Sequence, residues 1–278
     1  MKTKIVATSL AVILIVTCLF TLSACGGSGL FDFIKNMTDN TQTDDDDNDD
    51  DNDDDNDGTV DLLAQSLSFA ADSWEIINAV SLSGQAREYY SIGDEKEILV
   101  AAEPYIFRII GFGHDDLAGG TGKAGITLDM TQCMNEIYKY NPTNTNAGGW
   151  KECHLRNTDL PYIFKLLPKD LQPIIKTVDK KTVKDGDSSE IEATADKLFL
   201  LSTREVLSSG GVVGEGSRYE FFVNGSAKKL RNGIAQSWFL RSPVVSSDSL
   251  YGISSSGSLS TNFMANQTNV YLSFAFCV

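Results

Sequence analysis

An aspartate run sets the first limit on what this chain can fold into. Between positions 44 and 57 stand 11 aspartates, with Asn48, Asn52 and Asn56 interspersed and no cation. Like charges at that density repel and keep the backbone extended, and nothing apolar is present to offset the entropy of ordering. No core can pass through such a segment. The 278-residue chain has a formal net charge of −15, most of it in this run. The remainder offers no basic surface of the kind nucleic acids require, so no nucleic-acid partner is expected. Beyond the run lie roughly 200 residues, enough for one domain with a substantial core.

Asp53, Asp55, Asp57, Gly58 and Asp61 match the opening of a calcium loop. The twelfth position, where a bidentate Glu is required, holds Ala64. In a tract that is almost all Asp such a match follows from composition. The segment reads as a solvated spacer, and no metal or cofactor is assigned.

Ahead of the run, Lys2 and Lys4 precede an uncharged apolar stretch over 5–20, and small residues then lead to Cys25. That order is a secretory signal peptide. The stretch approaches the length of a membrane span, but Thr8, Ser9, Thr17 and Thr21 interrupt it and no basic cluster follows. Leu22-Ser23-Ala24-Cys25 resembles the lipobox of bacterial lipoproteins. The resemblance implies cleavage before Cys25, a diacylglycerol thioether on its sulfur, export, and anchoring at the cell membrane or cell surface. The organisation expected is a signal peptide at 1–24, a lipidated N-terminus and acidic linker at 25–73, and a globular domain at 74–278.

Within 74–278, runs at 97–100 and 105–111 read as strands. Met130, Cys133, Met134 and Ile137 stand near helical spacing and predict a helix over 128–140. Pro161 is expected to break 150–167 into two pieces, and 169–177 is a short helix candidate. Strands are expected near 178–183, 197–203, 219–223, 237–242 and 272–278, with a polar loop over 185–195. Helices in the middle and short strands on both sides predict an α+β domain with much irregular structure. Cys133, Cys153 and Cys277 show no C-x-x-C spacing. One disulfide with a free thiol, or three buried thiols, both fit.

Several blocks occur in order: Gly113-His114-Asp115-Asp116 with 122–127, Trp150-Lys151-Glu152, Leu167-Pro168, 196–202, Trp238-Phe239-Leu240-Arg241-Ser242-Pro243 and Ala275-Phe276-Cys277. Together they resemble a domain of unknown function common in Firmicutes surface proteins, over about 74–278. The W-F-L-R-S-P block and the Ser/Asn-rich stretch after it are also similar to the C-type-lectin-like fold of the formylglycine-generating-enzyme type. The Gly-Val-Arg-Pro-Ala-Phe ending of that family is here Tyr271-Leu272-Ser273-Phe274-Ala275-Phe276, without the Arg-Pro pair. Its copper-binding cysteine pair is not matched either, so its activity is not carried over.

The chemistry-bearing residues are sparse. His114 and His154 are the two histidines. His114 stands beside two aspartates, and His154 follows Cys153. An extracytoplasmic enzyme would need these residues to converge in one cleft, but no spacing joins them, and no catalytic residue is assigned. Gly119-Gly120-Thr121-Gly122-Lys123 lacks the first glycine and the hydroxyl of a phosphate loop. Trp74, Trp150 and Trp238 are assigned to packing rather than to sugar stacking. The stretch 244–269, rich in Ser, Asn and Thr around Tyr251 and Phe263, has the composition of adaptable recognition loops. Ser246, Asp248, Tyr251, Ser254, Asn262 and Asn266 are therefore the expected ligand-binding residues. The function expected is a membrane-anchored, surface-displayed binding or adhesion protein for a glycan, peptide or protein. An extracytoplasmic enzyme and an envelope-structural protein are the alternatives.

Overall fold

Ser73 starts the first helix, α1, Trp74–Leu82: its hydroxyl accepts from the Ile76 amide, and Glu75 lies in the first turn, where the helix dipole favours a carboxylate. Helix α1 buries Trp74, Ile77, Val80 and Ser81, and Gly84, at φ +74°, lies just past its end. The computed structural model to which it belongs describes residues 61–184 and 187–278. The lipobox, the apolar stretch before it, the aspartate run and most of the calcium-loop match lie outside the described residues. Packing begins ahead of Trp74. Phe69 meets Tyr90 edge-on, and the Asp72 carboxylate accepts hydrogen bonds from Ser66, the Leu67 amide and Tyr90.

After α2 (Ala86–Tyr89), strands β1 (Glu95–Val100) and β2 (Glu103–Phe112) form a hairpin, and β3 (Ile126–Met130) pairs with β2. Strand β12 (Ala275–Cys277) inserts between β3 and β6 (Leu198–Phe199) to complete a five-stranded sheet. Phe107 packs on Phe274 and Phe276, each ring centroid 5.4 Å away, at the centre of the core. A second sheet joins β9 (Trp238–Pro243), β10 (Ser249–Ile253) and β11 (Leu259–Met264). Two further ribbons pair β4 (Val178–Lys184) with β5 (Asp187–Asp196), and β7 (Lys229–Arg231) with β8 (Ile234–Gln236). Every ladder between these strands is antiparallel. The fold is α+β, as composition and patterning predict. No helix of the described residues is long and apolar enough to cross a membrane. Trp74, Trp150 and Trp238 are buried, in agreement with their assignment to packing.

The structure corrects several local readings. The helix expected over 128–140 is strand β3, buried at every position between two partners, followed by irregular chain. Cys133 and Met134 are buried because their amides donate to the carbonyls of Leu230 and Leu272, not because they share a helix face. The segment 169–177 forms turns: Pro173 has no amide and its ring opposes a helical carbonyl four residues back. The polar loop over 185–195 is largely β5, whose Glu192 meets Lys151 at 3.2 Å. The strand expected at 219–223 is a turn leading into helix α6, Phe221–Asn224, and the strand at 197–203 stops after Phe199. Ser202 instead caps α5 (Thr203–Val206), its hydroxyl accepting from the Glu205 amide while the Glu205 side chain accepts from the Ser202 amide.

Pro161 does not break 150–167. The interruption falls at extended Cys153, after α3 (Gly149–Glu152). A π-helical turn, Leu155–Asp159, then runs directly into α4, Leu160–Leu166. Pro161 sits in the first turn of α4, where a missing amide is tolerated.

Candidate functional site

The densest chemistry in the described residues is a closed polar core. Strand β4 carries Lys180 inward, α5 supplies Glu205, β9 supplies Arg241, and the chain after β2 supplies Asp115. Lys180 Nζ lies 2.6 Å from Asp115 Oδ1 and 2.7 Å from Glu205 Oε1. Arg241 grips Glu205 with both terminal nitrogens and also donates to the carbonyls of Leu200 and Lys181. Tyr219 and Thr127 donate to Asp115. Glu215 accepts from the Val183 amide and from Ser242. Burial by itself would raise the Asp115 and Glu205 carboxyls, but the adjacent Lys180 and Arg241 charges hold both below the usual carboxylate range. For Glu215 burial wins, and its carboxyl is raised. Lys180, Asp115, Glu205 and Arg241 are ion-paired, Glu215 is held by neutral donors, and all are shielded from solvent. This is the architecture of a structural ion cluster, with no face turned to a ligand.

His114 stacks on Tyr219 at a centroid distance of 4.0 Å, and its Nε2 stands 3.5 Å from Ser217 Oγ. His154 faces Asp159 at 3.6 Å, while the Cys153 sulfur packs at the Arg156 amide. The three side chains share no partner in these contacts. Cys133, Cys153 and Cys277 are all buried free thiols, which decides the alternatives left open by the sequence. Burial pushes the Cys133 and Cys153 thiols up to about 12 and Cys277 also upward. These three thiols are expected to resist an aromatic disulfide reagent in the native protein at pH 8 and to react when urea unfolds it. Rapid native reaction at any of them, read by absorbance, would contradict the burial.

The stretch expected to be recognition loop, 244–269, is mainly the hairpin β10–β11. It was misread because its outward Ser, Thr and Asn residues resemble a solvated loop, while Leu250 and Phe263 pair on the inner side. Gly252 makes that packing possible: a methyl there would come within 2.4 Å of the Phe263 ring and 2.6 Å of the Trp238 carbonyl. The six expected binding residues divide along the hairpin. Ser246 and Asp248 lie exposed in the β9–β10 turn, and Asn266 follows β11; Ser249 pairs with Met264, so these three gather at one end. Ser254 stands at the opposite end, in the tip turn, about 17 Å of strand away. Tyr251 is half-buried against the core at an irregularity in the ladder, and Asn262 is exposed on β11. One contiguous patch of all six is not formed.

Both ends are held in place. At the first, the Asn146 side-chain amide lies 3.2, 2.7 and 2.8 Å from the carbonyls of Val244, Ser247 and Ser249, and Asn144 accepts from the Ala265 amide. At the tip, Ser254 Oγ is 2.8 Å from Ser256 Oγ and 3.0 Å from the Ser258 carbonyl. The tip borders a polar cavity of about 290 Å³ lined by Arg218, Ser208, Ser209, Ser226, Ser256 and Phe222 among others. Nothing in the sequence singled out Arg218. The one available signal was the Ser208-Ser209-Gly210-Gly211 run beside it. No group of three or more metal-ligating side chains occurs among the described residues.

Fold and site together define a loop-rich α+β domain with a sealed ionic core and a stapled polar hairpin on its surface. The chain belongs to the family called domain of unknown function DUF6273, whose model matches residues 124–272, covering the hairpin and all of the ionic core named above except Asp115. No curated protein and no solved structure matches the chain.

Proposed function

We propose that this is an exported lipoprotein, lipidated at Cys25, that displays a C-type-lectin-like binding domain on an acidic stalk and recognises an extracellular ligand without catalysis. The observation carrying this reading is the β10–β11 hairpin. It presents hydroxyl and amide groups to solvent from a strand ladder whose inner side is packed in the core. Rigid backbone with small polar side chains lowers the entropy cost of binding. The lectin-like comparison draws on the W-F-L-R-S-P block and the loop-rich architecture, and the topology on the Leu-Ser-Ala-Cys motif. Against an enzyme stand the separate environments of His114, Cys153 and His154 and the burial of the ionic core.

The test is a screen of detergent-solubilised full chain on glycan and peptide arrays. Binding is expected, and it should fall at least tenfold on combined Asp248→Ala and Asn266→Ala substitution or on combined Ser254→Ala and Asn262→Ala substitution. The melting temperature should move by about 2 °C or less, since surface changes of this kind cost within ~0.5 kcal/mol. Array ligands retained by both double variants would exclude the hairpin as the recognition surface.

A further inference from the structure

The cavity at the hairpin tip holds a cation that, like Arg108 and Arg204, has no acceptor among the described residues, and it is the one that lines a polar cavity. Arg218 is half-buried in its wall, yet its guanidinium makes no hydrogen bond or ion pair with any described residue. Elsewhere in the fold, exposed Arg87 pairs with Glu220, part-buried Arg156 with Asp196 and buried Arg241 with Glu205. The Arg218 nitrogens are open to solvent and free to take an oxyanion, and the planar fork matches a carboxylate. No acidic side chain lines the cavity.

The rest of the wall mixes four serines with the apolar Val206, Leu207, Phe222 and Ala227. Ser208, Ser209, Ser226 and the tip residue Ser256 supply the hydroxyls, and Phe222 is itself buried. Gly210 lies close against Leu259 of β11, so the hairpin and the 208–211 segment approach each other closely. A volume of about 290 Å³ suits one ring-sized unit rather than a long chain.

We propose that this cavity binds the terminal acidic unit of a saccharide, with the Arg218 guanidinium holding the carboxylate and the surrounding serine hydroxyls meeting the ring hydroxyls. As an assignment of ligand class it rests on the reading of the hairpin as a recognition surface; as a binding site it stands on Arg218 and the cavity alone.

The experiment is calorimetric titration of the detergent-solubilised full chain with glucuronate, glucose and acetate. Glucuronate is expected to bind at least tenfold more tightly than either of the others. Arg218→Gln should weaken glucuronate at least tenfold, and Arg218→Lys less, because it keeps the charge but not the fork. The Arg218 side chain makes no hydrogen bond or ion pair with a described residue, so both variants should melt with the wild type. If Arg218→Gln fails to fold, Ser256→Tyr, which fills the mouth from an exposed position, serves in its place with the same expected loss. Glucuronate binding no tighter than glucose, or unchanged by these variants, overturns the proposal. Array ligands that survive Arg218→Gln but are lost in the hairpin variants leave the recognition surface standing and remove the acidic-sugar site. Glucuronate bound through Arg218, with array binding untouched by hairpin changes, does the reverse.

Discussion

Replacing Arg241 by Met should lower stability by about 3–5 kcal/mol, the largest effect expected of any single substitution in the folded body. The guanidinium is fully buried and neutralises Glu205 directly, while also donating to four different residues around it. Its removal leaves Glu205 with Lys180 alone, and that lysine already serves Asp115. The loss is thus mostly the penalty of a stranded buried carboxylate. Arg241→Lys should cost less, since charge is kept and only the two-pronged grip is lost.

The pH dependence of that loss has a definite sign. In the wild type, burial acting on Glu205 is outweighed by Arg241 and Lys180, so its carboxyl is lowered. A lowered carboxyl contributes stability that is present above the unfolded value, about 4.3, and disappears as pH falls through the folded value. In the Met variant burial is no longer outweighed to the same degree, and protonation relieves the penalty. The gap between the two proteins should therefore be widest near neutrality and narrow toward pH 4. Urea midpoints measured from pH 7 to 4 test this, with the slope m watched for any change in the unfolded state. A gap below ~1 kcal/mol at pH 7, or one that widens on acidification, would refute the stranded-carboxylate account.

Cys25→Ala should shift nearly all of the protein out of the membrane fraction or leave it as an uncut precursor. Two acyl chains on that sulfur would contribute about 0.8 kcal/mol per buried methylene, enough for stable anchoring. Fractionation followed by intact mass measurement distinguishes the outcomes. Wild-type material should begin at a lipid-bearing Cys25. Membrane retention of the variant, or wild-type protein carrying Met1, would end the lipoprotein reading.

How much was legible in the sequence varied with the range of the interactions. Alternating residues of β2 announced a strand, and Trp238 announced a core, because each signal is local. The ionic core was not legible: Arg241 carried no role within its block, and Glu205 lies 36 residues away, so only folding brings them together. The 128–140 reading failed because a strand buried on both sides shows no alternation, and a following irregular segment can mimic helical spacing. The β10–β11 hairpin was hidden by its polar outward face, although Leu250, Ile253, Leu259 and Phe263 around Ser256-Gly257 carried the hairpin pattern. Arg218 left no trace in the sequence, since an unpaired side chain is defined by what three separate segments fail to provide.

The placement of β12 has a kinetic consequence. It sits between β3 and β6, and its Cys277 touches Thr127 across 150 positions of chain. Loop-closure entropy for so distant a pairing must be met before the central sheet can close, which favours slow, late condensation. Until then β3 and β6 each present an open edge, a template for intermolecular strand addition.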